Sequence, residues 1–150
     1  MTEKMEWSPE TKTYYYVESN NQQDCELAIK KAIALASSTD KKITLLVDKY
    51  AAGFEENVAI QNIVKAAKLN NNDGITCSHM GCYFNLLINN IELNKIFSTV
   101  LVYGTTVGDA MHNVFNSNAQ NIILIPTHKE EWEFFIKAMR PVSINQNEKR

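Results

Sequence analysis

Asn121-Ile122-Ile123-Leu124-Ile125-Pro126 is the stretch that decides the fold. Its successive large aliphatic side chains point to alternate faces of a strand, so the strand must be covered on both faces, as in a parallel sheet. Pro126 ends the run, because proline cannot continue a central strand. Thr127 then begins a helical pattern with one apolar face, made of Trp132, Phe135, Ile136 and Met139.

The rest of the chain repeats this alternation of a short apolar run and a helical pattern. Strands are predicted at 14–17, 43–47, 75–78 and 99–103, and helices from about Gln23, from about Glu55 and across Val107–Phe115. Such alternation predicts parallel strands joined by right-handed crossovers, with helices on both faces. We therefore predict a single small doubly wound α/β domain (Rossmann-like or flavodoxin-like) with about five mainly parallel strands flanked by helices. It would span residues 13–140, between a flexible N-terminal arm (1–12) and a frayed C-terminal tail (141–150).

The stretch from Gly81 to Phe97 fits two structures. A helical stripe is formed by Tyr83, Leu86, Leu87, Asn90, Leu93 and Phe97. Cys82-Tyr83-Phe84 also fits the return strand of a hairpin with residues 75–79. We favour the helix and keep the hairpin as the alternative.

Composition sets the class of protein. The chain has 150 residues, of which 45% are hydrophobic and 21% charged, as expected for one soluble globular domain. It contains no run of about 18 apolar residues, so no membrane segment is predicted. Fifteen basic and seventeen acidic residues give a net charge of −2, without the basic excess typical of nucleic-acid binding. Three cysteines without a secretion signal indicate reduced thiols in the cytoplasm.

The loops that follow parallel strands are the expected ligand sites. In the loop Gly104-Thr105-Thr106-Val107-Gly108-Asp109, a glycine-containing turn opens a helix whose N-terminus favours an anion. We predict that Gly104, Thr105, Thr106 and Gly108 contact such an anion. The alternative is that a threonine only caps the helix. Glu18 and Asp48 also follow strands and could accept hydrogen bonds from ligand hydroxyls, although Asp48 equally suits a turn.

His79 and His128 both follow predicted strands, which would place them on one edge of the sheet. A histidine there could act as a general acid or base, and the alternative is a surface histidine without a catalytic role. Cys77, His79 and Cys82 lie within six residues, but their spacing is not that of a common zinc site. No metal and no cofactor is predicted.

Three functions remain open, because no motif identifies a family or a reaction. The first is a cytoplasmic domain that binds a nucleotide or another small phosphorylated ligand at the carboxyl ends of the strands. The second is a small hydrolase or lyase that uses His79 or His128 as acid or base and needs both histidines in one pocket. The third is a non-catalytic interaction module that forms a homo-oligomer, such as a homodimer, through the aromatic residues Tyr14–Tyr16 and Phe134.

Overall fold

The computed structural model describes residues 12–47, 55–70, 76–88, 96–103, 117, 119–127, 133, 136–137 and 140–145. Its elements are β1 (Thr13–Tyr16), α1 (Gln22–Ser37), β2 (Lys42–Val47), α2 (Val58–Asn70), β3 (Thr76–His79), β4 (Cys82–Ile88), β5 (Thr99–Tyr103), β6 (Asn121–Ile125) and β7 (Val142–Ser143). Glu133, Ile136 and Lys137 are also helical, within the last helix that the sequence predicts.

The described strands form one sheet in the order β3-β4-β2-β5-β6-β1-β7. All neighbours pair in parallel except β3, which pairs antiparallel with β4 at one edge. The α/β fold with a doubly wound parallel sheet is therefore confirmed. In β5 every residue is buried, and in β6 every residue after Asn121 is buried, as the sequence predicts for strands covered on both faces.

The sheet separates two apolar clusters. On one face, Leu101 and Tyr103 of β5 pack in the larger cluster together with apolar side chains of α1 and α2. On the other face, Val100 and Val102 of the same strand pack in the second cluster. Successive side chains of a strand thus serve opposite layers, which explains why a continuous apolar run is needed here.

Helix α1 begins where its sequence supplies a cap. The Asn21 side chain accepts a hydrogen bond of 2.7 Å from the backbone N–H of Asp24, which would otherwise lack a partner in the first turn. The small and aliphatic side chains Cys25, Ala28, Ile29, Ala32 and Ala36 form its buried face. Alanine on this face lets the helix approach the sheet closely.

Residues 82–88 form strand β4, so the helix that we favour for Gly81–Phe97 is wrong there and the hairpin is confirmed. The reason is burial on both faces. Phe84 and Leu86 pack in the larger cluster, whereas Leu87 packs in the second one. A helix presents its buried side chains along one stripe and could not supply both layers of a sheet.

The chain beyond Arg140 also departs from the prediction of a frayed tail. Strand β7 pairs in parallel with β1, and Ile144 packs in the larger cluster. Residues 141–145 are therefore part of the folded domain. A strand of two residues is too short to leave a recognisable pattern in the sequence.

Lys12, which we assign to the N-terminal arm, is likewise buried. Its ammonium group donates hydrogen bonds to the backbone oxygens of Ser117 (3.2 Å) and Ala119 (2.6 Å), next to the start of β6. Burial lowers the pKa of Lys12 from its usual value. The folded part of the chain therefore begins no later than this residue.

The β3–β4 turn generates a stability prediction. Met80 and Gly81 both have positive φ angles, 52° and 86°, as in a two-residue type I′ turn. Met80 is 65% exposed, so its side chain contributes little packing. Met80→Asn should stabilise the protein by about 0.5 kcal/mol, because asparagine adopts this backbone region more readily, and Gly81→Ala should destabilise it by about 1 kcal/mol.

Urea unfolding of the two variants measures both changes. Met80→Ala is the matched control, since it shortens the side chain without the preference of asparagine for positive φ. Equal stabilities of Met80→Asn and Met80→Ala would contradict the turn assignment.

Candidate functional site

A cleft of about 520 Å³ lies at the carboxyl ends of β1 and β6. Residues Tyr16–Asn20 line it on the β1 side, and Pro126, Thr127, Glu133 and Ile136 line it on the β6 side. Its volume is within the range of about 300–1,000 Å³ that small-molecule sites occupy. The cleft is therefore large enough for a ligand of nucleotide size.

The position of the cleft follows from the order of the strands. Along the chain β1 is followed by β2, which lies on one side of β1 beyond β6 and β5. The next described strand after β6 is β7, which lies on the other side of β1. The chain thus leaves two neighbouring strands in opposite directions, and in open parallel sheets ligands bind at such a switch point.

The rim of the cleft on the β1 side is held by the buried carboxylate of Asp24 in α1. Its Oδ2 accepts hydrogen bonds from the backbone N–H of Ser19 (3.0 Å) and from the Ser19 hydroxyl (2.9 Å). Its Oδ1 accepts a hydrogen bond from Nδ2 of Asn145 (2.8 Å). The Asn145 side-chain oxygen accepts one from the backbone N–H of Glu18 (2.9 Å). Four hydrogen bonds thus fix two consecutive lining residues.

A second polar network lies beside this rim and joins the two described helices. Nδ2 of Asn57 donates to the backbone oxygen of Asn20 (3.1 Å) and to the Cys25 sulfur (2.9 Å), while its Oδ1 caps α2 at the N–H of Ile60 (3.0 Å). Nδ2 of Asn20 donates to the Tyr103 hydroxyl at the end of β5 (3.2 Å). The loop after β1 is thereby fixed to α2 and to β5.

Cys25 lies inside this network and has a strongly shifted pKa. Burial raises the pKa of its thiol to about 11, and the hydrogen bond from Asn57 opposes this effect only in part. At neutral pH the group is therefore a thiol and not a thiolate. Since the thiolate is the nucleophile, Cys25 is a structural residue.

The described walls of the cleft combine apolar surface with hydrogen-bond acceptors. Tyr16, Pro126 and Ile136 supply the apolar part, and Glu18 and Glu133 supply carboxylates. Within the described residues, the buried hydroxyl oxygen of Thr127 has no hydrogen-bond partner. Carboxylate oxygens only accept hydrogen bonds, so this part of the cleft suits a ligand with an apolar ring and with hydroxyl or amino donors.

Of the predicted binding residues, Glu18 lines the cleft. Asp48, Gly104, Thr105, Thr106 and Gly108 lie outside the described residues. The strands that precede them, β2 and β5, pair in parallel with each other, and β5 pairs in parallel with β6. Their last described residues, Val47 and Tyr103, therefore end at the same edge of the sheet as the cleft.

His79 does not lie at that edge. Because β3 runs antiparallel, its last residue His79 pairs with Cys82, the first residue of β4, and so lies at the amino edge of the parallel strands. The expectation that the loop after β3 joins the carboxyl-edge loops is therefore wrong. His128 lies outside the described residues, and Thr127 immediately before it is at the carboxyl edge. The prediction that both histidines lie in one pocket is therefore not supported, because it requires His79 at the carboxyl edge.

Three residues that build the rim, namely Asp24, Asn57 and Asn145, are missing from the sequence-based candidates. Asn21 and Asp24 stand three residues apart where an amphipathic helix begins, a spacing typical of a helix start. Asn57 likewise precedes α2. Nothing in the sequence near Asn145 indicates its role, because its partners are more than a hundred residues away.

Within the described ranges, no three His, Cys, Asp or Glu side chains come together as a metal-binding group. Among the helices described, none has the length and apolar character needed to span a membrane.

A comparison of the chain with protein-family models, curated proteins and solved structures gave no match in any of the three. The function is therefore argued from the chemistry of the cleft, since a fold alone does not define an activity.

The raised pKa of Cys25 predicts a pH-dependent stability. The folded state binds the thiol proton more tightly than the unfolded chain, whose cysteine titrates near 9.0. The thiol therefore contributes fully to the free energy of unfolding below pH 9. This contribution is lost as the pH rises toward about 11. Compared with a Cys25→Ala variant, the wild type should lose about 2 kcal/mol of unfolding free energy between pH 8 and pH 11.

Urea unfolding of both proteins across this pH range gives the comparison. The variant is less stable at pH 8 because it loses packing and the Asn57 contact. The test therefore compares how much the unfolding free energy of each protein changes with pH, and not its value at one pH. Parallel curves would show that the thiol titrates alike in the folded and unfolded states.

Proposed function

We propose that the protein binds a small polar ligand, a nucleotide or another phosphorylated molecule that carries hydroxyl groups, in the cleft at the carboxyl ends of β1 and β6. The observation that supports this proposal is the coincidence of a 520 Å³ cleft with a switch point of the strand order. An apolar wall and polar groups at the rim are the usual composition of such a site.

The two ends of this ligand would meet different parts of the edge. Glu18 and Glu133 accept hydrogen bonds from hydroxyl or amino groups, and their charge disfavours a phosphate next to them. The phosphate is assigned to the loop Gly104–Gly108, which follows β5, the sheet neighbour of β6. The sequence predicts a helix start at this loop, where backbone N–H groups of Thr105 and Thr106 would suit an anion. Asp48, which follows β2, is a further acceptor for hydroxyl groups.

The alternative functions have less support. A hydrolase or lyase that relies on His79 together with His128 conflicts with the position of His79 at the opposite edge. An oligomeric interaction module relies partly on the aromatic residues Tyr14–Tyr16. Tyr14 is buried in the second apolar cluster of the same chain, so it does not form a surface for a partner.

Titration calorimetry with AMP, ADP and adenosine tests the proposed function. We expect binding of at least one nucleotide at millimolar concentration or below, and weaker binding of adenosine, because it lacks the phosphate. Glu18→Gln should weaken nucleotide binding roughly tenfold, since a hydrogen bond to a charged group contributes about 1.5 kcal/mol or more.

The matched control is Glu26→Gln, which removes the same charge from α1 but does not line the cleft. The control should bind like the wild type. No binding of any nucleotide would reject the ligand class, and equal effects of the two substitutions would reject the cleft as the site.

A further inference from the structure

The carboxamide of Asn145 connects the last described segment of the chain to the rim of the cleft. Asn145 is buried and stands two residues after β7. Its oxygen accepts a hydrogen bond from the backbone N–H of Glu18 (2.9 Å), and its nitrogen donates to Oδ1 of Asp24 (2.8 Å). One side chain thus joins the loop after β1 to the first turn of α1.

The orientation of this carboxamide is fixed by the chemistry of its partners. The N–H of Glu18 can only donate, and the carboxylate of Asp24 can only accept. The second oxygen of Asp24 accepts two hydrogen bonds from Ser19. These hydrogen bonds therefore hold Glu18 and Ser19, two residues that line the cleft.

We propose that Asn145 is a positioning residue for the cleft, and that residues Arg140–Asn145, termed the C-terminal latch, fix the rim by docking against β1. For the ligand this inference rests on the proposed function. For the positioning of Glu18 and Ser19 it does not. Because binding linkage is reciprocal, a ligand that needs this rim also stabilises the docked latch.

The latch also docks against β1 by strand pairing. Strand β7 makes two residue pairs with β1, and Val142 is 41% exposed. Arg140 has φ 51° and precedes Pro141, a combination that strains the backbone of a residue other than glycine. The hydrogen bonds of Asn145 thus act together with this strand pairing and with the burial of Ile144 to keep the latch docked.

A reciprocal exchange of the two side chains tests the inference. Asn145→Asp alone places two carboxylates at the 2.8 Å contact. Asp24→Asn alone leaves a donor facing a donor in either orientation of the new carboxamide, because its nitrogen meets either the amide nitrogen of Asn145 or the backbone N–H of Ser19.

The double variant Asp24→Asn/Asn145→Asp restores every pairing. The carboxylate introduced at position 145 would accept hydrogen bonds from the N–H of Glu18 and from the amide nitrogen introduced at position 24. The amide oxygen at position 24 would still accept from Ser19. Val142→Ala is a control on β7 that leaves these hydrogen bonds intact.

Amide hydrogen exchange at Glu18 and Ser19, followed by NMR without ligand, is the first readout. Each single variant should accelerate exchange at these two amides roughly tenfold or more, as the loss of a hydrogen bond to a charged group predicts. The double variant and Val142→Ala should stay within about threefold of the wild type. Exchange in the double variant as fast as in the single variants would overturn the positioning role, as would unchanged exchange in Asn145→Asp. If the single variants do not fold, the exchange rates of the double variant and the wild type still test the positioning role. Similar rates support it, and much faster exchange in the double variant overturns it.

Calorimetry with AMP is the second readout. Its affinity should fall in each single variant and recover in the double variant. Unchanged affinity in single variants with fast exchange would overturn the coupling of the latch to the ligand. Failure of AMP and the other nucleotides to bind the wild type would instead reject the proposed function, and the exchange data would still decide the positioning of the rim.

Discussion

The structure depends on the burial of both faces of its central strands. Side chains of β2, β5 and β6 enter two separate apolar clusters, and Leu45 and Leu46 of β2 show the alternation directly. Other segments of the chain must therefore cover both faces of the sheet. Parallel strands meet this requirement, because the connections between them cross over its faces. The same arrangement gathers the loops after these strands at one edge. The location of the candidate site is thus a consequence of core packing.

The fold could be predicted because strands buried on both faces need apolar side chains at consecutive positions, and the sequence shows such runs. Ile122 to Ile125 and Val100 to Val102 leave no polar face, and the amphipathic helices that precede and follow such runs identify the fold class. The hairpin was harder, because Tyr83, Leu86 and Leu87 fit a helical stripe as well as a strand. What distinguishes the two is which apolar layer each side chain enters, and a single sequence does not contain that information.

The site was predictable only where it follows from the end of a strand. Glu18 comes directly after the apolar run Tyr14–Val17, so the rule that ligands bind where parallel strands end predicted it. His79 was misplaced because the rule requires the direction of its strand, which depends on pairing with β4. Asp24 and Asn145 were missed because each holds the rim through its hydrogen bond to the other, and 121 positions of sequence separate them. A pattern over a few neighbouring residues does not predict a contact between distant ones.

The position of β1 in the sheet has a consequence for biosynthesis. Its two neighbours are β6 and β7, the last strands described in the chain, and Thr13 pairs with Asn121. Among the described strands β1 leaves the ribosome first during translation, yet its two described partners β6 and β7 are made last. Strands β2, β4 and β5 can associate with one another before that time. The sheet is thus completed late, by the return of the first strand to the last, and such distant pairing is typical of slow folding.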